Sequence, residues 1–241
     1  TTFDPVAAAL SDVTNTASMG AEMARQGVVI QNIVTLAAAT IRGADSSTET
    51  ISWGGATSAV FKAIAHSIDS LTGDADLDDT ATSFEGLING AAVFAGLDAT
   101  DKATVAAAAD EVAAVIFAGK VNLKTATEAI ADAATFDPVA YLTALAKSAV
   151  VAQTNAAAAV ETAVGGDISG LVASYSGAAL QTKLDNATVG DVTGATVNDA
   201  PVVTSPSLTI SEDGEVTITK AMLGVSDADD ADTAVTVRVS G

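Results

Sequence analysis

The sequence has no cysteine, one histidine and four prolines; aromatic residues make up 4% of it, and its ten Lys and Arg face thirty Asp and Glu. Without cysteine there are no disulfides, thiolate zinc sites or cysteine nucleophiles. The single histidine, His66, has no second imidazole with which to share a metal, and it falls two residues round from Ile64 on a helical stripe, which predicts a half-exposed helical position. Scarce aromatics argue against a sugar cleft built on stacking platforms. The shortage of basic residues leaves a formal charge of −20 and a pI near 4.1. Nucleic acid and anionic membrane surfaces repel such a chain, and cations are its natural partners. Mean hydropathy is +0.41, yet no uninterrupted apolar run approaches the ~18 residues of a membrane span, so no membrane insertion is expected.

Catalytic signatures are missing too. The nucleophile elbow Gly-x-Ser-x-Gly, the phosphate loop GxxxxGK[ST] and the dinucleotide fingerprint GxGxxG do not occur. Thr1 is a poor N-terminal nucleophile because the chain reads as starting mid-module. It carries no signal-peptide pattern and stops at Gly241 directly after a strand-like run, so both ends are expected to lie inside a longer protein. The expectation is that this is not an enzyme. An extracellular hydrolase remains the weakest reading, because its carboxylate pair would have to be assembled from any two of thirty acids.

What is present is alanine, valine and helical period. With 241 residues and 49% apolar content, the chain can bury a sizeable core. Asp4 and Pro5 are placed as N-cap and first helical residue, and from Ser18 to Ile41 the residues Met19, Met23, Val29, Ile30, Ile33, Val34, Ala37 and Ile41 form one stripe closed near Arg42-Gly43. Trp53, in a polar break ending at Gly54-Gly55, is expected to anchor that loop on the core. Ala56 to Leu71 follows with Val60, Phe61, Ile64, Ile68 and Leu71 on one face; Phe84 to Leu97, Thr100 to Ala118 and Leu123 to Ala134 read as further helices. The hexapeptide TFDPVA occurs twice, at Thr2 to Ala7 and Thr135 to Ala140. Each copy is followed by a Val-Val-x-Gln step: Val28, Val29 and Gln31, then Val150, Val151 and Gln153. This suggests a diverged internal duplication with starts at 2 and 135. A short helix is predicted around Ala178 to Leu184.

The division expected is an alanine-rich helical domain over 1–185, a linker over 186–200 and a strand-rich segment over 201–241. In the last, Thr209-Ile210, Val216 to Thr219 and Val235 to Val239 are β-branched runs separated by turn signals at Asp213-Gly214 and Gly224. Acidic residues cluster at the change of period: Asn198-Asp199-Ala200-Pro201, Glu212, and Asp227-Ala228-Asp229 extended by Asp230 and Asp232. This ordered set resembles the opening of a bacterial cadherin-like repeat, the tandem module of very large secreted adhesins and calcium-binding surface proteins. The resemblance covers roughly the last 44 residues of 241. It implies an α+β multidomain chain, in which the helical domain is followed by an incomplete cadherin-like (Ig-like) β-sandwich. It also implies that Asn198, Asp199, Asp227 and Asp229 supply calcium at the near joint and that Glu212 serves the far one. Calcium's demand for six to eight hard oxygens suits such a set; the alternative is a solvated acidic loop. The helical region is similar, more loosely, to helical segments of the same large proteins.

A second loop has ligand spacing. Counted from Asp74, acids fall at positions 1, 3, 5 and 12, namely Asp74, Asp76, Asp78 and Glu85, which is the EF-hand pattern, although Asp79 stands where the turn wants glycine and Ala81 where an aliphatic residue packs. The other reading is an acidic helix start favoured by the helix dipole. The function expected is therefore a structural or adhesive segment of a secreted bacterial surface-layer, filament or adhesin protein, rigidified by calcium. Its partners would be neighbouring modules or subunits of the same protein and a cell-surface or matrix target. The alternative is a filament subunit whose β module is completed by strand exchange.

Overall fold

The computed structural model describes residues 14–47, 50–70, 81–131, 136–190, 202–203 and 225–226. The chain divides into two compact units, Thr1–Val192 and Thr193–Gly241. In the first, the described elements are α1 (Thr14–Ala44), α2 (Trp53–Ser70), α3 (Ala81–Phe94), α4 (Ala99–Ala131), α5 (Pro138–Val150), a π-helical turn (Val151–Ala156), α6 (Ala157–Ala163), α7 (Gly170–Ser174) and α8 (Gly177–Asn186). In the second, β1 (Val202–Val203) pairs antiparallel with β2 (Val225–Ser226), in the register Val202 to Ser226 and Val203 to Val225.

The expectation of an incomplete β-sandwich, and with it the α+β class, is overturned. The described structure is overwhelmingly helical, and its strand content is this pairing of two residues with two. A sandwich needs two multi-stranded sheets packed face to face, and even a single hairpin is marginal by itself. The paired residues also differ from the β-branched runs read as strands; those runs lie outside the described residues.

The helical unit is built around α1. Its second half is buried on every side, with Leu36, Ala37, Ala38, Ala39, Thr40 and Ile41 all at 0–2% exposure. Alanine makes this geometry attainable, because a methyl side chain lets neighbouring helices approach from several directions. The hairpin of α2 and α3 closes with Ala63 facing Gly90, and α3 turns through Ala95 and Gly96 into α4. By length and composition, Met19–Ala44 is apolar enough to cross a membrane, and more than half of that window is buried within the domain.

Residue contacts show that α1 runs parallel to the α5–π–α6 helix. Asn32 meets Ser148 and Gln153, while ten residues on Arg42 meets Glu161. Close packing explains Gly43, which the sequence reading made a helix stop. The helix continues to Ala44, and a Cβ at Gly43 would sit 2.5 Å from the Glu161 carbonyl oxygen and 2.9 Å from Val164 Cβ.

Three further expectations change. The helices read at Thr100 to Ala118 and Leu123 to Ala134 are one, α4, because Val112, Ile116, Leu123 and Thr127 stay buried across the Gly119 step. Trp53 is not a core anchor: it opens α2, is 41% exposed and lies under the Arg42 guanidinium at 5.0 Å. Phe61, Met19, Met23 and Ile30, expected on buried faces, are about half exposed, whereas Val29, Val34 and Val60 of the same helices are buried. The helix expected from Pro5 lies outside the described residues. Its second copy is within them: Asp137 caps α5, its Oδ1 accepting the Ala140 amide at 2.9 Å, with Pro138 in the first turn.

Candidate functional site

Most of the candidate calcium ligands singled out from sequence fall outside the described residues: Asn198, Asp199, Glu212, Asp227 and Asp229, and also Asp74, Asp76 and Asp78. Glu85 is described, one turn into α3, half-buried beside the buried Phe84. The flanking helices end at Ser70 and resume at Ala81. Among the described residues no three His, Cys, Asp or Glu side chains gather as a metal set.

Several polar side chains of the helical unit are instead committed to joints. At the C-terminal end of α1, Arg42 donates Nε and Nη2 to Glu161 Oε1 at 3.1 and 3.0 Å, donates Nη1 to the Ile51 carbonyl and covers Trp53. One guanidinium thereby fastens α1, α6 and the connection to α2. Asp45 fastens the same connection, its carboxylate accepting the Ser47 and Ile51 amides at 3.0 and 2.6 Å. Hydrogen bonds from Ser47 and then Ile51 hold the Asp45 carboxyl below the usual carboxylate range. Asp101 is 4% exposed at the start of α4. Its oxygens accept Ser46 Oγ at 2.7 Å and the Ser46 amide at 3.2 Å, and its own amide donates to Asp98 at 2.8 Å. A carboxylate in the first turn of a long helix also meets the positive end of the helix dipole.

The second joint lies lower, between α1 and the π turn. Asn32 Nδ2 donates to Ser148 Oγ at 3.2 Å, and Asn32 Oδ1 accepts from Gln153 Nε2 at 3.0 Å. The backbone shows an inserted residue here: the Val151 amide donates to Lys147 O, four back, whereas the Ala157 amide donates to Ala152 O, five back. Burial follows the same step. Leu145, Ser148 and Val151 face the core at intervals of three, the next buried position is Ala156, five on, and Val160 and Val164 follow at fours. An uninterrupted α-helix would have turned Ala156 and its successors away from α1; one extra residue restores them. The two Val-Val-x-Gln steps lie level across this joint, with Val29 and Val151 both buried. A cleft of about 30 Å³ opens beside it, lined by Asn32, Ser148, Lys120 and Tyr175 among mostly apolar side chains that include Ile33, Ile116 and Leu180. That is room for one or two waters, far below the ~300 Å³ of an ordinary organic-ligand pocket.

Elsewhere on the unit, the Arg25 guanidinium beside Glu22, at 2.6 Å, holds that carboxyl below its usual range, with Gln26 assisting. Burial pushes the Tyr141 and Tyr175 phenols up. The Tyr175 hydroxyl donates to Asn155 O at 2.9 Å, and Lys183 lies 4.7 Å over its ring. His66, read from sequence as half-exposed, is exposed on α2 and meets Phe94 edge-on at 5.8 Å. Sequence reading did not single out Asn32, Ser148 or Asp101, and gave Arg42 only a place at the close of a helix. The interval of five between Val151 and Ala156 was the one visible signal for the π turn, and alanine richness hid it, since apolar residues occupy almost every interval in that stretch.

Comparison of the chain with family models, curated proteins and solved structures returned no match.

Proposed function

We propose that this chain is a structural module of a secreted bacterial surface protein of adhesive or filamentous type, in which the helical unit is a stiff spacer and the acidic residues of the second unit take up calcium. The observation that carries this reading is how the helical unit uses its polar groups. Arg42, Asp45, Asp101, Asn32 and Gln153 each tie one element to another; the cleft beside Asn32 is the size of water, and a second recess of about 230 Å³, lined by Thr104, Ala107, Ala108, Gly165, Gly166 and Ile168, presents no ionisable side chain. Such an interior suits bearing load more than turning over a substrate. The calcium part rests on the sequence: the −20 charge and the ordered set Asn198, Asp199, Glu212, Asp227 and Asp229, with Asp74, Asp76, Asp78 and Glu85 as a second set. Its partners would be neighbouring modules or subunits and a surface or matrix target outside the cell.

Calcium titration tests this. Isothermal calorimetry and thermal melts in millimolar calcium against EGTA should show binding and a raised midpoint, because a ligand that binds only the folded state stabilises it by mass action. Asp227→Asn with Asp229→Asn should weaken that response more than Asp191→Asn. Identical melts and no heat of binding would remove the calcium part. A compact, freely jointed helical unit in small-angle scattering under tension-free conditions leaves the spacer reading intact only if force spectroscopy shows it resisting extension; unfolding at negligible force would remove it.

A further inference from the structure

We propose that the cleft at the π turn is a hydration site, holding one or two ordered waters between the Ser148 hydroxyl and the Asn32 side-chain amide. Ser148 is 7% exposed, and its Oγ accepts from Asn32 at 3.2 Å. A hydroxyl that accepts still carries a proton to donate, and among the described residues that proton has no protein acceptor. The other buried hydroxyls of the bundle differ: Thr40 donates to Leu36 O at 2.9 Å and Thr127 to Leu123 O at 2.8 Å, each about one turn back along its own helix. Leaving a buried donor unpaired costs about 1–3 kcal/mol, so an acceptor is expected.

The space in front of Ser148 supplies one. It holds about 30 Å³, and Asn32, Ser148 and Lys120 are among the residues lining it. A buried water needs roughly 10–15 Å³ of such volume and two to four polar partners. Asn32 has a second amide hydrogen beyond the one it gives to Ser148. The inserted residue accounts for the space: it widens this part of the helix and places Ala152 and Ala156 along the cleft, where methyl groups do not fill it. A wet polar seam thus lies between two apolar clusters, and Ile33 packs against both.

A crystal structure of the full chain at high resolution tests the site, with a second crystal pressurised under xenon. The expected result is water density at hydrogen-bond distance, about 2.7–3.2 Å, from Ser148 Oγ, with no xenon in the cleft, since dry apolar cavities take up the gas and hydrated polar ones do not. In Ser148→Ala that density should be lost while the Asn32–Gln153 bond remains. An empty cleft, xenon in the wild-type cleft, or density unchanged in Ser148→Ala would each overturn the proposal. The wild-type measurements decide the matter even if the variant does not fold.

Discussion

The helical unit holds two apolar clusters on the same central helix, and they are built by opposite means. The upper one gathers the second half of α1 with α2, α3, the first half of α4, α6, α7 and α8, and thirteen of its thirty-one described buried residues are alanine. The lower one joins Ala21, Ala24 and Val29 of α1 to Leu123, Tyr141, Leu142 and Leu145. In the upper cluster small side chains bring backbones together from all sides. In the lower one large side chains cover one face of α1 and leave the other bare: Met19, Met23 and Ile30 are 60, 50 and 49% exposed, while Val34, Ala37 and Ile41, on nearly the same helical face further along, are covered by neighbouring helices. Dispersion and apolar burial grow with the number of sides enclosed, so the upper cluster should set global stability and the lower should open first.

The sharpest way to break that comparison is to truncate one large side chain in each. Ile88→Ala, fully buried in the upper cluster, should cost about 2–5 kcal/mol and lower the main melting midpoint by several degrees. Leu145→Ala removes a similar volume from the lower cluster. There the loss should appear first as faster amide hydrogen exchange over residues 19–30 and 138–145, with a smaller shift of the main transition. Equal shifts in both melts would show that the clusters unfold as one.

Much of this arrangement was legible in the sequence. Helix positions follow from the three-and-four spacing of apolar residues, and Asp137-Pro138 opens α5 by the chemistry read from the motif. Which stripe is buried was harder to see. In alanine-rich helices nearly every face is apolar, so Met19, Met23, Ile30 and Phe61 looked like core, while the real contacts fall on alanines whose burial depends on how closely helices approach. The polar joints were invisible for another reason: Asn32 and Ser148, or Asp101 and Ser46, are 116 and 55 residues apart, and nothing local marks them as partners. The β-sandwich was over-read from the tail, because β-branched alternation measures fitness for a sheet and supplies no partner strand; the runs themselves lie outside the described residues.

Charge offers a second contrast, of intermediate size. Asp45 serves the upper end and Glu22 the lower, and both carboxyls are held below their usual range, Asp45 by bonds from the Ser47 and Ile51 groups and Glu22 by Arg25. A depressed folded pKa contributes stability that is present above the unfolded value, ~4, and lost as pH falls through the folded one. Acid titration monitored by Trp53 fluorescence, which reports the Arg42 and Asp45 neighbourhood, should therefore show the upper connection loosening below about pH 4. Asp45→Asn should flatten that acid response. In alkali the sign reverses. Tyr141 is raised by burial, so its contribution is full below the unfolded value, ~10, and fades as pH climbs through the folded one, loosening the lower cluster.

The smallest effects come from two glycines of α1, and they should have opposite signs. At Gly43 a new methyl meets the Glu161 carbonyl oxygen and Val164, both backbone-close and unable to yield, so Gly43→Ala should destabilise by about 1–3 kcal/mol. At Gly27, in the exposed half of the same helix, a Cβ finds nothing within 4 Å. Gly27→Ala removes only the backbone freedom that a helix must suppress, and it should stabilise by about 0.5–1 kcal/mol. Because that gain falls where α1 is covered on one side only, it should slow hydrogen exchange around residue 27 more than it raises the main midpoint. A rise of the main midpoint without local protection would place Gly27 in the same cooperative unit as Gly43, and the division of the bundle into a tightly enclosed upper half and a one-sided lower half would have to be abandoned.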